Sequence, residues 1–250
     1  MVMAEATNHY FKHLGVSDGL SQVCIPSIYQ DELGAVWLGT TEGLNRYNGK
    51  DVKVFQPSES NHGLTNNEIN ELCGDKNGRM YIRSGNDLIK LDIYTEQFTC
   101  LRQKGVYGLF CKKDTLWVSC ADGIYYYTGQ GTELTFFARV QKGFVGRALY
   151  VDKETVWVVT RKYLVAISRE DPLRQEILLT LDKGNCILGD SSGNIWVGAW
   201  NGLYRISPNR ETTAYVSHSG MGELSDNQVR CVLEDDFKPV SYTHLRAHET

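Results

Sequence analysis

Apolar residues along this chain fall in short runs that alternate with polar positions, and turns rich in Gly, Asn and Asp separate the runs. No 3.6-residue periodicity lasts beyond two turns, which excludes a helical bundle and points to strands. In the opening part the alternation predicts four strands, over residues 24–29, 36–40, 44–47 and 52–55. Asn48-Gly49 between the last two is a strong short-range hairpin signal, because both residues tolerate positive φ.

The same pattern then recurs. Its core is an Asp, a turn ending in Gly, an apolar residue, an aromatic and a second apolar residue. It reads Asp31-Glu32-Leu33-Gly34-Ala35-Val36-Trp37-Leu38 first and Asp75-Lys76-Asn77-Gly78-Arg79-Met80-Tyr81-Ile82 second. Leu116-Trp117-Val118, Val156-Trp157-Val158 and Asp190-Ser191-Ser192-Gly193-Asn194-Ile195-Trp196-Val197 follow. The aromatic stands at 37, 81, 117, 157 and 196, and four of the five tryptophans occupy this one position. Four short antiparallel strands every 40 residues or so is the signature of a propeller blade. The fold class is therefore all-β: a β-propeller of four-stranded antiparallel blades. One aromatic per blade fills the wedge between twisted sheets, and the small residue two positions on (Gly39, Ser119, Gly198) fits where blades crowd together.

A lead-in precedes the core: residues 20–31, 64–75 and 224–235 align without a gap, so a sixth blade opens at Leu224. About five and a half blades are expected, spanning 7–239. The string Val240-Ser241-Tyr242-Thr243-His244-Leu245-Arg246-Ala247-His248-Glu249-Thr250 is similar over all its residues to one reading frame of a transposon-end sequencing adapter. It is expected to be non-native, and its His244 and His248 are not read as a metal pair. At the other end, Ala4-Glu5-Ala6 has the small-x-small form of a signal-peptidase site, so 1–6 read as a signal-peptide remnant or as a coincidental match in a cytosolic start. An open propeller also leaves unpaired blade edges, and residues 7–239 alone are expected to self-associate.

Charge narrows the partners. With 26 basic and 30 acidic residues the formal net charge is -4, and the basic residues form no run, which argues against a nucleic-acid surface. No stretch approaches the 18 apolar residues a membrane span needs. The seven cysteines include no CxxC; most are expected to be buried small hydrophobes, and no disulfide pair is predictable from spacing.

The repeat Leu-Ser-x-x-x-Val-x-x-Ile-x-x-Asp-x-x-Gly-x-apolar-Trp-apolar-Gly-Thr-x-x-Gly-Leu-x-Arg-Tyr resembles the two-component regulator propeller repeat, best over residues 20–47 and 186–206. Residues 10–21 also resemble the start of such sensor regions, and the likeness covers about 9–238. Ser119 and Val159 depart from the pattern by replacing its Gly, and Tyr163 replaces the turn Gly. The resemblance implies a seven-bladed propeller, paired with a second propeller and followed by an immunoglobulin-like module. It further implies a periplasmic ectodomain of a hybrid histidine kinase that detects oligosaccharides and regulates glycan-use genes, with a homodimer as one possible assembly. Kinase and DNA-binding segments would lie outside this fragment.

No nucleophile elbow, phosphate loop or His-Glu-x-x-His is present, so no catalytic residue, metal site or cofactor is expected. His9 and His13, and the turn carboxylates Glu32, Asp235 and Asp236, read as solvated or local hydrogen-bonding groups. Candidate ligand-binding residues are Trp200 and Asn201 in a turn suited to sugar stacking, the equivalent basic residues Arg46, Lys90 and Arg205, and Tyr126 within Tyr125-Tyr126-Tyr127. For each, packing between blades is the competing role. A propeller-fold lyase and a non-catalytic interaction scaffold stand as alternatives to sensing.

Overall fold

The computed structural model describes residues 13–57, 63–217, 224, 226–234 and 240–244. The stretch 1–6, His9, Tyr10, Phe11, His62, His218, Asp235 and Asp236 lie outside the described residues.

Five four-stranded antiparallel sheets follow one another, each with its strands in sequence order, and a two-stranded sheet comes last. Blade one comprises β1 (Ser27–Gln30), β2 (Val36–Thr40), β3 (Gly43–Tyr47) and β4 (Val52–Phe55). The first strand of each sheet is innermost: Ile69–Gly74, Val106–Lys112, Gly146–Val151, Cys186–Gly189 and Val229–Glu234 lie beside one another in turn after β1. Strand β1 begins at Ser27 rather than at residue 24, because Pro26 has no N–H to give to a ladder. Asn48-Gly49 sits in a four-residue loop in which the Asn48 side chain accepts from the Lys50 and Asp51 N–H groups. Despite the departures at Ser119, Val159 and Tyr163, Thr115–Cys120 pairs with Gly123–Tyr127 and Thr155–Thr160 with Tyr163–Ser168 in unbroken register; toward the inner strands the register shifts at Ser119 and opposite Val159.

The core consists of layers between blades. Trp37 and Leu44 meet Ile69, Leu72, Met80 and Ile89 of blade two. Tyr81 and Leu88 meet Val106 and Leu116 of blade three, Trp117 and Ile124 meet Leu149 and Val158 of blade four, and Trp157 and Leu164 meet Ile195 and Val197 of blade five. Trp196 packs against Leu224, Val229 and Val232. At about 25 cal/mol per Å2 and roughly 200 Å2 for a buried indole, each ring contributes on the order of 5 kcal/mol before ordering entropy is counted.

The Asp of the repeat has a second task besides turn formation. Asp31 accepts the Leu33 and Ala35 N–H groups on one oxygen and the Trp37 indole N–H, at 2.7 Å, on the other. Asp152 does the same for Trp157 and Asp190 for Trp196, at 2.7 and 2.8 Å. Turn and wedge are thus tied by one carboxylate, which satisfies the donor that burial would otherwise strand. In blade two the aromatic is Tyr81; Asp75 turns to Arg79, and the buried Tyr81 hydroxyl has no hydrogen-bond partner among the described residues.

Close approach explains the small residues. A Cβ on Gly39 would lie 2.8 Å from Ile69 Cγ2 and one on Gly198 would lie 2.7 Å from Val229 Cγ1, each in the next blade. Where the position is Ser119, its hydroxyl donates to the Gly146 carbonyl. Where it is Val159, the facing residue is Gly184, whose added Cβ would lie 2.6 Å from the valine. The room is made on the partner side.

One expectation changes. Cys120 is buried, but Cys24, Cys100 and Cys231 are exposed, because they lie in a connecting segment, on an outer strand and on the last inner strand, positions that lack a covering layer; all seven are free thiols. Val240–His244, within the stretch read as non-native, pairs antiparallel with Val229–Glu234, whose unpaired backbone groups any extended segment can satisfy.

Candidate functional site

Because strands alternate in direction, the turns between second and third strands emerge on the same face as the connections from one blade to the next inner strand. The first–second and third–fourth turns emerge on the other. Near the first-face end of each inner strand, the residues equivalent by register are Pro26, Asn70, Tyr107, Arg147, Asn185 and Arg230 in blades one to six; Pro26 and Asn185 stand just ahead of their strands and the other four are second in theirs. Basic character is confined to the fourth and sixth of these positions. The second–third turns follow suit: they carry Glu42 and Asp122 in blades one and three, with Asp87 just after the turn in blade two, but Arg161 with Lys162 in blade four and Trp200 in blade five.

These groups meet in a cleft of about 400 Å3 lined by Arg147, Arg161, Lys183, Asn185, Trp200 and Arg230. The Lys183 ammonium sits over the Trp200 ring, 3.4 Å from its centre, in a cation–π contact that fixes a flexible side chain. Lys183 itself has φ 46°, a left-handed conformation uncommon for a residue with a Cβ, and the adjoining Gly184 has no room for one. Asn201 is spent within the loop, where its side-chain oxygen accepts the Asp182 N–H at 3.0 Å. Asn185 donates to the Val229 carbonyl at 3.1 Å and so joins blade five to blade six at the floor. Arg147, Arg161, Lys183 and Arg230 form no ion pair among the described residues. A second cleft of about 430 Å3 shares Arg147 and Arg161 and adds Tyr107, Phe144 and Lys162.

The other face holds a cleft of about 620 Å3, lined among others by Glu154, Arg174, Glu176 and Arg210. Its charges are of both signs, and Arg210 pairs with Glu176 at 2.6 Å.

The structure separates the residues singled out from the sequence. Arg46, Lys90 and Arg205 stand directly opposite the aromatic of their own blade, as Arg46 to Trp37, Lys90 to Tyr81 and Arg205 to Trp196. Arg46 reaches into blade two to pair with Glu96 at 2.6 Å, and Lys90 donates to the Tyr127 hydroxyl of blade three at 3.3 Å. Arg205 bonds Thr213, while its buried Nε lacks a partner among the described residues. Tyr126 lies across from Trp117, with ring centres 5.5 Å apart, in the layer between blades three and four. Trp200 alone of the six lines the cleft. Sequence reasoning missed Arg147, Arg161, Lys183 and Arg230, which are scattered along the chain; superposing the repeats position by position was the signal that groups them.

Inside the ring of inner strands, Glu71 faces Arg83 at 3.4 Å. Burial pushes its carboxyl up to about 7, against the opposing pull of the Arg83 guanidinium.

No family model matches the chain. A stretch of 53 residues is 40% identical to histidine kinase P4 of Formosa agariphila, covering 21% of this chain and 4% of that protein. The fold matches the extracellular domain of a hybrid two-component system from B. thetaiotaomicron with a TM-score of 0.73 at 20% identity, over 92% of this chain and 40% of that one. It also matches a streptogramin B lyase, with a TM-score of 0.66 at 14% identity, over 92% and 87%. The chain thus spans a small part of the kinase and under half of the sensor domain. What the likenesses share is the fold: this chain is built as a β-propeller, a scaffold that serves a sensor's extracellular domain and a lyase alike.

Proposed function

We propose that this chain is part of the ligand-sensing ectodomain of a hybrid two-component sensor, without catalysis of its own. The observation that carries the reading is the joint likeness to an extracellular sensor domain over 92% of the chain and, in sequence, to a histidine kinase. Among the described residues no helix is long and apolar enough to cross a membrane. The domain works outside the inner membrane, in the periplasm, and the signal crosses in segments beyond it. Its ligand is an oligosaccharide and its output is control of glycan-use genes. A second propeller and an immunoglobulin-like module of the same protein are its neighbours, and a homodimer is its signalling unit. A ligand acts by favouring one packing arrangement of these parts, which it can do only through differential affinity for the two arrangements.

The test is a thermal-shift and kinase-phosphorylation screen of the full-length protein against an oligosaccharide panel. A saccharide that raises the melting temperature and changes phosphorylation supports sensing. The lyase likeness favours a second reading over nearly all of that enzyme's length; turnover of a panel member, seen by mass spectrometry, would establish it in place of the first.

A further inference from the structure

We propose that the cleft where blades four, five and six meet binds an anionic saccharide, one bearing carboxylate or sulfate groups. This rests on the sensing reading and names the substrate class of that site.

Four cations line a space of about 400 Å3 with no carboxylate among the lining residues. Arg147 and Arg161 belong to blade four, Lys183 to the connection into blade five, and Arg230 to blade six. Elsewhere Arg46, Arg79, Arg83, Arg102 and Arg210 have acidic partners, and Arg169 and Arg205 donate to neutral oxygens without lining a space shared with other cations. Like charges gathered without counter-charge repel one another, and a ligand that supplies two or more negative charges relieves the repulsion. Guanidinium groups suit the task, since each can present two parallel N–H donors to a carboxylate or sulfate.

Trp200 then acts as a positioning residue. The Lys183 ammonium occupies one face of the indole at 3.4 Å, so the ring aims the cation. Lys183 accepts a left-handed backbone at a position where glycine would be free of strain. The saccharide part of the proposal comes from the adjoining cleft of about 430 Å3, whose shared walls are Arg147 and Arg161 and whose added rings are Tyr107 and Phe144. Aromatic faces pack against the C–H faces of a sugar ring while the shared arginines hold its charged substituents.

The experiment is calorimetric titration of the full-length protein with four probes: a tetragalacturonate, a sulfated galactan tetrasaccharide, an uncharged galactose tetrasaccharide and sodium sulfate. One of the charged tetrasaccharides is expected to bind, with affinity falling as salt rises. Arg161→Glu is expected to weaken it at least tenfold with the melting temperature unchanged, because that side chain is exposed, and Lys183→Gly severalfold with no loss of melting temperature, because glycine relieves the left-handed backbone. Trp200→Phe is expected to weaken binding less than Trp200→Ala, since a second ring restores the aim of Lys183. Charged tetrasaccharide binding that neither Arg161→Glu nor added salt weakens overturns the proposal. Tight binding of the uncharged tetrasaccharide alone overturns it and leaves the sensing reading standing. Sulfate binding as tightly as both charged tetrasaccharides overturns the saccharide assignment. If no saccharide binds and phosphorylation responds to none, the sensing reading falls and this inference with it.

Discussion

Blades one to three and blades four to six are built alike inside and differently on their ligand-sized face. In both halves an aromatic from each blade wedges into the next, and the crowded position is kept small on one side or the other. Yet among the described residues six of the seven ion pairs lie in blades one to three, and two of them, Arg83–Glu71 and Arg102–Asp122, are on the face that carries the basic cleft in the later blades. Among the described residues the later blades hold Arg210–Glu176 alone, on the opposite face from that cleft. The interior must satisfy the same wedge geometry in every blade, so it repeats. The turns answer to no such constraint, and they are where the blades have diverged.

The largest effect tests the shared interior. Trp37→Ala and Trp157→Ala should each cost about 3–5 kcal/mol in chemical denaturation, since each empties a wedge and leaves a turn carboxylate without its indole partner. If one costs under about 1 kcal/mol, the halves do not share one architecture. Gly39→Val comes next, at about 1–3 kcal/mol, because its side chain would press on Ile69; the equivalent change at Gly198 should rank with it by melting temperature.

A pH effect separates blade two from the rest. Glu71 holds its proton more tightly folded than unfolded, so the folded state binds more protons between about pH 4.5 and 7. Stability from this group is therefore present at low pH and is lost as pH rises through that window, by at most about 1.4 kcal/mol per pH unit. Glu71→Gln should flatten the profile of stability against pH there; an unchanged slope would mean that the carboxyl is not desolvated.

The smallest effects bear on the surface. Glu96→Gln removes the partner of both Arg46 and Lys53 and should cost up to about 1 kcal/mol, less at high salt. Arg161→Gln should cost nothing measurable, because no ion pair is lost. A larger loss from Arg161→Gln than from Glu96→Gln would erase the distinction between the halves.

Much of the fold was legible in the chain because local rules dictate it. The Asp-x-x-Gly turns, the alternating runs and the recurring aromatic each point to short strands, and β2 and β4 lie where the alternation places them. The start of β1 needed the ladder to be seen, since Pro26 breaks it. Candidate site residues were harder. Arg46 and Lys90 recur as a functional residue would, but recurrence in a propeller marks what every blade junction requires, and both point into the next blade. Trp200 stood out because it breaks the repeat, and it lines the cleft.

Strand periodicity and turn chemistry act over a few neighbouring residues, so the repeat, the strand count within a blade and the aromatic wedge are written in the chain. Packing in three dimensions is what lets Asp31 hold Trp37, sets Gly184 against Val159, and brings Arg147, Arg161, Lys183 and Arg230 to one cleft. Such pairings depend on which turn a neighbouring blade sets beside which inner strand. That proximity is created by packing across blade junctions; superposed repeats align the positions but do not bring the side chains together.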